Sequence, residues 1–228
     1  MDDLFKIGLF SKDDSLHTPA AAITERAYSK ALSLFPHSPK VWHTIAQWYD
    51  RTIDGTMHST TTELDDVALT DTPAQPAMVR AAITAHKTYL TFAAPKHTTA
   101  AALRLVSLLV NKGGALLPHV EDEITHTPLA GAIWVPIAQQ IFARLSHPNG
   151  SVCRVMRMLL QRAAAASPET VLYLVYRGRG STEPRTRTQA NELFSFLQSI
   201  YHDIVAESDV LVSEMIRISE LWEEQWHL

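Results

Sequence analysis

The chain has 228 residues, and its 46% hydrophobic content is enough for a buried core and argues against general disorder. Its net charge of -4 excludes the strongly basic character typical of proteins that bind nucleic acid through phosphate neutralisation, although a local basic patch is compatible with it. The single cysteine, Cys153, excludes an intrachain disulfide and fits a reducing compartment.

The amino terminus does not resemble a secretion signal. Residues 1–14 are acidic and have no positively charged region before their short apolar run, so we expect no signal peptide. The most apolar stretch, 100–110, is interrupted by Arg104 and is far shorter than the roughly 20 residues that span a bilayer. We therefore predict a soluble protein.

Proline after a small polar residue recurs ahead of periodic apolar segments, and this pattern predicts helix starts. The polar side chain can accept a backbone N–H that has no partner within the helix, and proline at the first helical position loses no hydrogen bond. The pattern occurs at Thr18-Pro19, Ser38-Pro39, Thr127-Pro128 and Ser167-Pro168.

The first two predicted helices form a hairpin whose turn lies at 36–39. Their apolar residues recur at helical spacing. They are Ile23, Ala27, Ala31 and Leu34 on the first helix, and Val41, Trp42, Ile45, Ala46 and Tyr49 on the second. Residues 54–75 are rich in Thr, Ser and Asp without a sustained period, and we predict a loop there.

Further helices are predicted at about 76–93 and 98–112, the second ending at a Gly-Gly pair. A helix over 134–145 and another over 152–163 follow, separated by a break that predicts a second hairpin. Each hairpin leaves an apolar face that it cannot bury alone, and stacking of neighbours solves this problem in an α-solenoid. The predicted fold is therefore all-α, with stacked antiparallel hairpins like those of TPR and HEAT repeats.

The last part of the chain begins with a predicted basic loop over 177–187. One helix then carries the apolar residues Leu193, Phe194, Leu197, Tyr201, Ile204 and Val205. The final helix carries Leu211, Met215, Ile218 and Trp222, and it reaches Leu228 without a stop signal. We expect the parent protein to continue beyond this point.

Known catalytic patterns are missing from the sequence. It contains no Walker A loop, GxSxG elbow, GxGxxG turn, HRD or DFG motif. The acidic runs at 65–66, 121–123 and 223–224 consist of adjacent residues, which do not face each other on a helix, and we interpret them as solvated surface. The spacing of His119, His126, His147 and Cys153 matches no zinc motif, so we expect no metal site.

Two groups of residues are candidates for binding. Four arginines could contact an anion or RNA through charge and guanidinium stacking. The sequence favours a solvated, disordered loop over such a contact, because Ser, Thr, Glu and Pro interleave the arginines. They are Arg177, Arg179, Arg185 and Arg187. The second group could form an exposed binding surface or pack against a further domain. Its members are Met215, Ile218, Trp222 and Trp226.

The run EMIRISELWEEQWH at 214–227 resembles the opening helix of the FRB domain in the phosphatidylinositol-3-kinase-related protein kinases. In this family an apolar-Arg-apolar step precedes Leu-Trp-x-Glu-x-Trp. The segments PIAQQIFARLSHP at 136–148, LLQRAAAASPETVLY at 159–173 and LRLVSLLVNKGG at 103–114 are similar to the FAT region of the family's nonsense-mediated mRNA decay kinase, as is 27–49. The resemblance covers most of the chain except the two predicted loops.

The resemblance implies a FAT segment of a serine/threonine kinase that phosphorylates an RNA helicase at Ser-Gln or Thr-Gln sites. ATP and Mg would bind in the kinase domain of the parent, and no catalytic residue carries over to this sequence. FAT regions wrap the kinase lobes, and some bind an inositol phosphate in a basic pocket that the resemblance does not place on residues here. The implied partners are the parent's own kinase domain, regulatory subunits of the decay kinase complex and the helicase, with no membrane.

The expected organisation follows from both lines of reasoning. Residues 1–53 form a TPR-like hairpin with an N-terminal extension, 54–75 a loop, 76–187 HEAT-like repeats ending in a basic loop, and 188–228 helices that lead into a truncated FRB domain. We expect a cytoplasmic location, with a nuclear pool as the alternative. The alternative function is a free-standing helical-repeat adaptor that binds protein or RNA.

Overall fold

The computed structural model describes residues 19–59, 74–112, 124, 127 and 129–226. These residues form nine α-helices and no β-strand, and the predicted all-α class is confirmed. The helices are α1 (Pro19–Leu34), α2 (Pro39–Ser59), α3 (Ala74–Phe92), α4 (Thr99–Lys112), α5 (Ala138–Phe142), α6 (Gly150–Ala166), α7 (Pro168–Arg179), α8 (Pro184–Ile200) and α9 (His202–Trp226). Short 3-10 turns occupy Pro95–His97, Gly131–Ile133 and Val135–Ile137.

The helices fall into two compact units. One consists of Met1–Leu129 with Asn149–Val152, and the other of Ala130–Pro148 with Cys153–Leu228. In the first unit α2 packs against α1 and α3, and α3 also packs against α4. In the second unit α8 packs against α7 and α9, and α5 packs against α7, so the packed helix pairs are consistent with an α-solenoid. The assignment of segments to TPR-like and HEAT-like repeats stays a prediction, and the boundary predicted after residue 187 falls inside α8.

The core of the first unit lies where α3 packs against α2 on one side and α4 on the other. The predicted stripe of α2 is buried at Trp42, Ile45, Ala46 and Tyr49. The indole Nε1 of Trp42 also donates a 2.7 Å hydrogen bond to the carbonyl of Pro36, which fixes the turn before α2.

The stripe predicted for α1 is wrong. Ile23 and Leu34 are 67% and 63% exposed, whereas Leu32 is buried. The reason is the way α1 meets its neighbour, because Tyr28 packs edge-on against Trp48 with ring centroids 5.9 Å apart. Leu32 lies one helical turn after Tyr28 and therefore shares its face.

The loop predicted over 54–75 is wrong at both of its ends, which are helical. Helix α2 continues to Ser59 and α3 begins at Ala74, while residues 60–73 lie outside the described part of the chain. Tertiary contacts extend α2 beyond its apolar stripe, since Ile53 is buried and Asp54 pairs with Arg104 on α4.

The stripe predicted over 134–145 is buried, but it does not form one helix. Two 3-10 turns precede the short helix α5, and Pro136 lies in the second of them. Proline has no backbone N–H and disfavours the helical conformation of the residue before it, which breaks the regular ladder. Trp134, Ile137 and Ile141 are nevertheless almost completely buried.

The basic loop predicted over 177–187 is also wrong, because only residues 180–183 separate α7 from α8. Gly178 is buried inside α7, where a Cβ would collide with the ring of Phe142 and approach Cβ of Ala190 to 3.0 Å. Its role is therefore close packing against α5 and α8, whereas the sequence analysis places it in a loop. Pro184 then starts α8 at its first position.

Tyr201 separates the last two helices, so the apolar pattern over 193–205 belongs to two elements. The helix α8 ends at Ile200, and Ile204 and Val205 lie on α9. Val205 is buried, which places the first turns of α9 against the rest of the second unit.

Candidate functional site

A charged network links three helices of the first unit. Asp50 on α2 lies 3.0 Å from Nε2 of His86 on α3, and Nε of Arg104 on α4 lies 2.9 Å from its other oxygen. Arg104 also contacts Asp54 at 2.9 Å. The His86 side chain is almost fully buried, so Asp50 compensates polar groups on both neighbouring helices.

The electrostatics of Asp50 reflect two opposing influences. Burial alone raises the pKa of its carboxyl, but hydrogen bonding and charge from His86 and Arg104 outweigh burial and lower the pKa overall. The pKa of Arg104 is raised, because its two carboxylate partners outweigh the burial that would lower it. Asp50 and Arg104 therefore stay ionised at neutral pH, and the network joins α2, α3 and α4.

Sequence reasoning missed this network, although one signal for it was visible. Arg104 interrupts the most apolar stretch of the chain, and a charge at such a position needs a partner. Nothing in the sequence identified Asp50 or His86 as that partner, because they are 54 and 18 residues away along the chain.

The four predicted anion-contact arginines lie on the facing ends of α7 and α8. Arg177 and Arg179 occupy the last turn of α7, while Arg185 and Arg187 occupy the first turn of α8. Arg179 is already engaged, since its guanidinium lies 3.9 Å from the ring centroid of Phe194 and its Nε donates to Asn191. Arg177 and Arg185 are exposed.

A cleft of about 490 Å³ lies beside these arginines. Its hydroxyls are occupied with one another, because Ser146 pairs with Thr186 at 2.5 Å and Thr186 donates to Glu183 at 2.6 Å. The lining residues are Phe142, Ala143, Arg144, Ser146, His147, Ser181, Glu183 and Thr186. A carboxylate at the cleft is unfavourable for an anion, so binding of an anion by the four arginines stays a prediction.

The last helix carries the other predicted surface. Met215 and Ile218 are 62% and 60% exposed, and Leu211 is 62% exposed. Trp222 and Trp226 lie on α9, but their side chains are outside the described part of the structure. The anchor of this helix is Tyr176 on α7, whose hydroxyl donates to Asp209.

Metal-capable side chains do not cluster in the part of the chain that the structure describes, where no group of three could hold an ion. His119 and His126 lie outside the described residues. Cys153 donates to the carbonyl of His147 at 3.0 Å. Among the described helices, none combines the length and apolar character that a bilayer crossing requires.

Comparison with known proteins gives matches to large kinases. The chain is 29% identical over 150 residues to a serine/threonine-protein kinase smg-1 of Caenorhabditis briggsae, which covers 60% of this chain and 6% of that protein. It is 35% identical over 107 residues to a serine/threonine-protein kinase SMG1 of Danio rerio, covering 47% of this chain and 3% of the kinase. A target of rapamycin homolog of Caenorhabditis elegans is 28% identical over 129 residues, which is 55% of this chain and 5% of that protein.

The chain is homologous to a segment of these kinases. The segment is small, since it spans only a few per cent of the length of each relative. No family model matches the chain. The predicted resemblance to the phosphatidylinositol-3-kinase-related kinases is confirmed over about half of the chain, and the matches are consistent with a segment of the FAT and FRB type.

Proposed function

We propose that this kinase-related chain is a non-catalytic helical scaffold, the FAT segment leading into the FRB domain of a serine/threonine kinase that acts in nonsense-mediated mRNA decay. The observation that carries the proposal is the similarity to short segments of several large serine/threonine kinases. These 228 residues contain no kinase sequence motif, which is consistent with a non-catalytic role. Catalysis, with its ATP and Mg, would reside in the kinase domain of the parent.

The packing of the chain suits such a role. Stacked helices bury a core between them, and within each unit α-helices pack directly against one another. The Asp50 network fixes three helices in the first unit, and the pair of Arg157 on α6 with Glu192 on α8 joins two in the second. A stiff stack can hold kinase lobes in a fixed position, because local displacements at one helix are resisted by those beside it.

The proposed partners follow from the same role. We propose contacts with the parent's own kinase domain and with regulatory subunits of the decay kinase complex. The RNA helicase would bind to the parent as its substrate. An inositol phosphate in a basic pocket and a cytoplasmic location, with a nuclear pool as the alternative, are part of the proposal. The four arginines at the facing ends of α7 and α8 are the residues to examine for the anion.

A free-standing adaptor that binds protein or RNA is the second candidate. The observation that favours it is the charge of residues 130–200, which carry eight arginines and three glutamates. A local excess of five positive charges (8 − 3) could attract a polyanion although the whole chain is acidic.

Sequencing the transcript beyond Leu228 separates the two candidates. The scaffold proposal expects the remainder of an FRB helix bundle and then a lipid-kinase-like catalytic loop in the same reading frame. A stop codon directly after Leu228 would overturn it and favour the adaptor. In addition, the purified chain supplied with ATP and Mg is expected to transfer no phosphate to a Ser-Gln peptide.

A further inference from the structure

The exposed face of α9 carries an apolar seam. Leu211, Met215 and Ile218 follow at spacings of four and three residues, which places them in one line along the helix. Each is at least 60% exposed. Ile204 extends the line by one heptad and is partly exposed. Val212, which is partly exposed, and Ile216, which is 53% exposed, lie beside this line and widen the apolar surface. An apolar surface of this kind fits another helix, whose side chains can insert between its members.

The two edges of the seam differ. Glu207 and Glu214 lie four residues before Leu211 and Ile218, so both line the same edge, and both are exposed. Glu214 is partly compensated by Arg217, at 2.6 Å. The opposite edge starts with Val205, which is buried against the rest of the second unit.

We propose that this seam docks an amphipathic helix of a partner protein that carries Lys or Arg along one edge of its apolar stripe. Residues 202–219 contain four acidic side chains and one arginine, and side chains flanking an apolar seam determine which partner is accepted. A basic edge facing Glu207 and Glu214 gains charge pairs, whereas an acidic edge is repelled. The proposal goes beyond the scaffold role, and it uses only the described side chains of α9 and its surroundings.

Other occupants are less favourable on charge. The longer segments of this chain outside the described residues, 1–18, 60–73 and 113–123, together contain eleven acidic and two basic side chains. A second copy in an antiparallel pair would bring the glutamate edges together. In a parallel pair the glutamate edge of one helix would face the opposite edge of the other, where Val205 is buried against the second unit.

The test uses the 228-residue chain and two labelled peptides about three heptads long, identical in their leucine stripe but with Lys or Glu at the edges. Fluorescence anisotropy is expected to show about tenfold tighter binding of the Lys peptide at low salt, with the difference shrinking at high salt. In Glu207→Lys/Glu214→Lys the preference should invert. Leu211→Ser/Ile218→Ser should lose at least tenfold in affinity for the Lys peptide.

Val210→Ser is the matched control, because Val210 is 66% exposed but lies about 100° around the helix from Leu211. It should bind the Lys peptide like the unaltered chain. Circular dichroism of every variant checks that the fold is intact, which is expected since the altered side chains are exposed. Equal binding of both peptides, or unchanged binding by Leu211→Ser/Ile218→Ser, would overturn the proposal. Sedimentation showing a dimer that Leu211→Ser dissociates would overturn it as well, since the occupant would then be a second copy.

Discussion

The hydroxyl of Tyr176 on α7 donates a 2.5 Å hydrogen bond to Oδ1 of Asp209 on α9. The same ring meets Phe194 on α8 edge-on, with centroids 5.8 Å apart, so one side chain contacts both following helices. Burial, and then the bond to Asp209, raise the pKa of the Tyr176 hydroxyl. The phenol therefore remains protonated and continues to donate well above neutral pH.

Removing this hydroxyl should loosen α9. Tyr176→Phe is expected to lower the free energy of unfolding by about 1 kcal/mol, because it leaves Asp209 without its donor. Hydrogen exchange of α9 amides should become faster than that of α7 amides. Tyr173→Phe is the control, since Tyr173 is 67% exposed, and it should change neither quantity.

The pH dependence of the same contact has a definite sign. A phenol whose pKa is higher in the folded state contributes its stability below its unfolded pKa of about 10 and loses it as the pH rises through the folded value. Denaturant unfolding of the unaltered chain should therefore weaken with rising pH above 10 more than that of Tyr176→Phe. Parallel curves for the two proteins would contradict this assignment.

Loss of the Asp50 carboxylate should destabilise the fold. Asp50→Asn removes the charge that faces His86 and Arg104, and it is expected to lower the free energy of unfolding by about 1 to 2 kcal/mol. Asp54→Asn is the matched control, because the Asp54 side chain is 57% exposed and the Asp50 side chain only 17%, and its effect should stay below about 0.5 kcal/mol. If Asp50→Asn and Asp54→Asn lower the free energy of unfolding equally, burial of Asp50 does not make its ion pairs more stabilising than those of Asp54.

Acid should weaken the same network. The pKa of Asp50 is lower in the folded chain, so its contribution is present above its unfolded pKa of about 3.9 and is lost as the pH falls from there through the folded value. Unfolding of the unaltered chain and of Asp50→Asn, compared between neutral pH and the onset of acid denaturation, should converge towards low pH. A constant difference would argue that the carboxylate charge is unimportant.

Three glycines offer a graded test of close packing. A Cβ at Gly131 would overlap the backbone carbonyl of Arg162, which cannot move easily, so Gly131→Ala should cost about 3 kcal/mol. At Gly178 the obstacles are side chains of Phe142 and Ala190, and a loss of about 1 to 2 kcal/mol is expected. Gly150 has no neighbour within 4 Å of such a Cβ, and Gly150→Ala should be neutral or slightly stabilising. Any other order in thermal or denaturant unfolding would contradict the packing described.

Arg179 and Arg177 should separate packing from surface charge. Arg179→Ala removes the guanidinium from the ring of Phe194 and should cost about 0.5 to 1 kcal/mol in denaturant unfolding. Arg177 is exposed, so Arg177→Ala should be neutral for stability. If both changes are neutral, the stacked guanidinium does not contribute to the junction of α7 and α8.

The sequence predicted α2, where the apolar spacing and a helix-start proline agreed, and the bounds predicted for α3 and α4 are close to the observed ones. The prediction of helix bounds failed at residues that are compatible with more than one local structure. Gly178 was interpreted as part of a loop, but it permits close packing, and Pro136 divides a buried stripe into short turns. The partner of Arg104 was not predictable from the sequence. Side-chain pairs between helices depend on how each helix is rotated about its own axis, and a single sequence does not specify this rotation.

The proposed scaffold role means that this helical stack supports a kinase activity located elsewhere in a longer parent protein. Its most direct test measures phosphorylation of a Ser-Gln peptide by the purified parent kinase carrying Gly131→Ala, with Gly150→Ala as control, alongside the 228-residue chain alone. We expect reduced kinase activity for the parent carrying Gly131→Ala, full activity for the parent carrying Gly150→Ala, and no activity for the isolated chain. Phosphoryl transfer by the isolated chain, or full activity of a parent whose stack is shown to be unfolded, would contradict it.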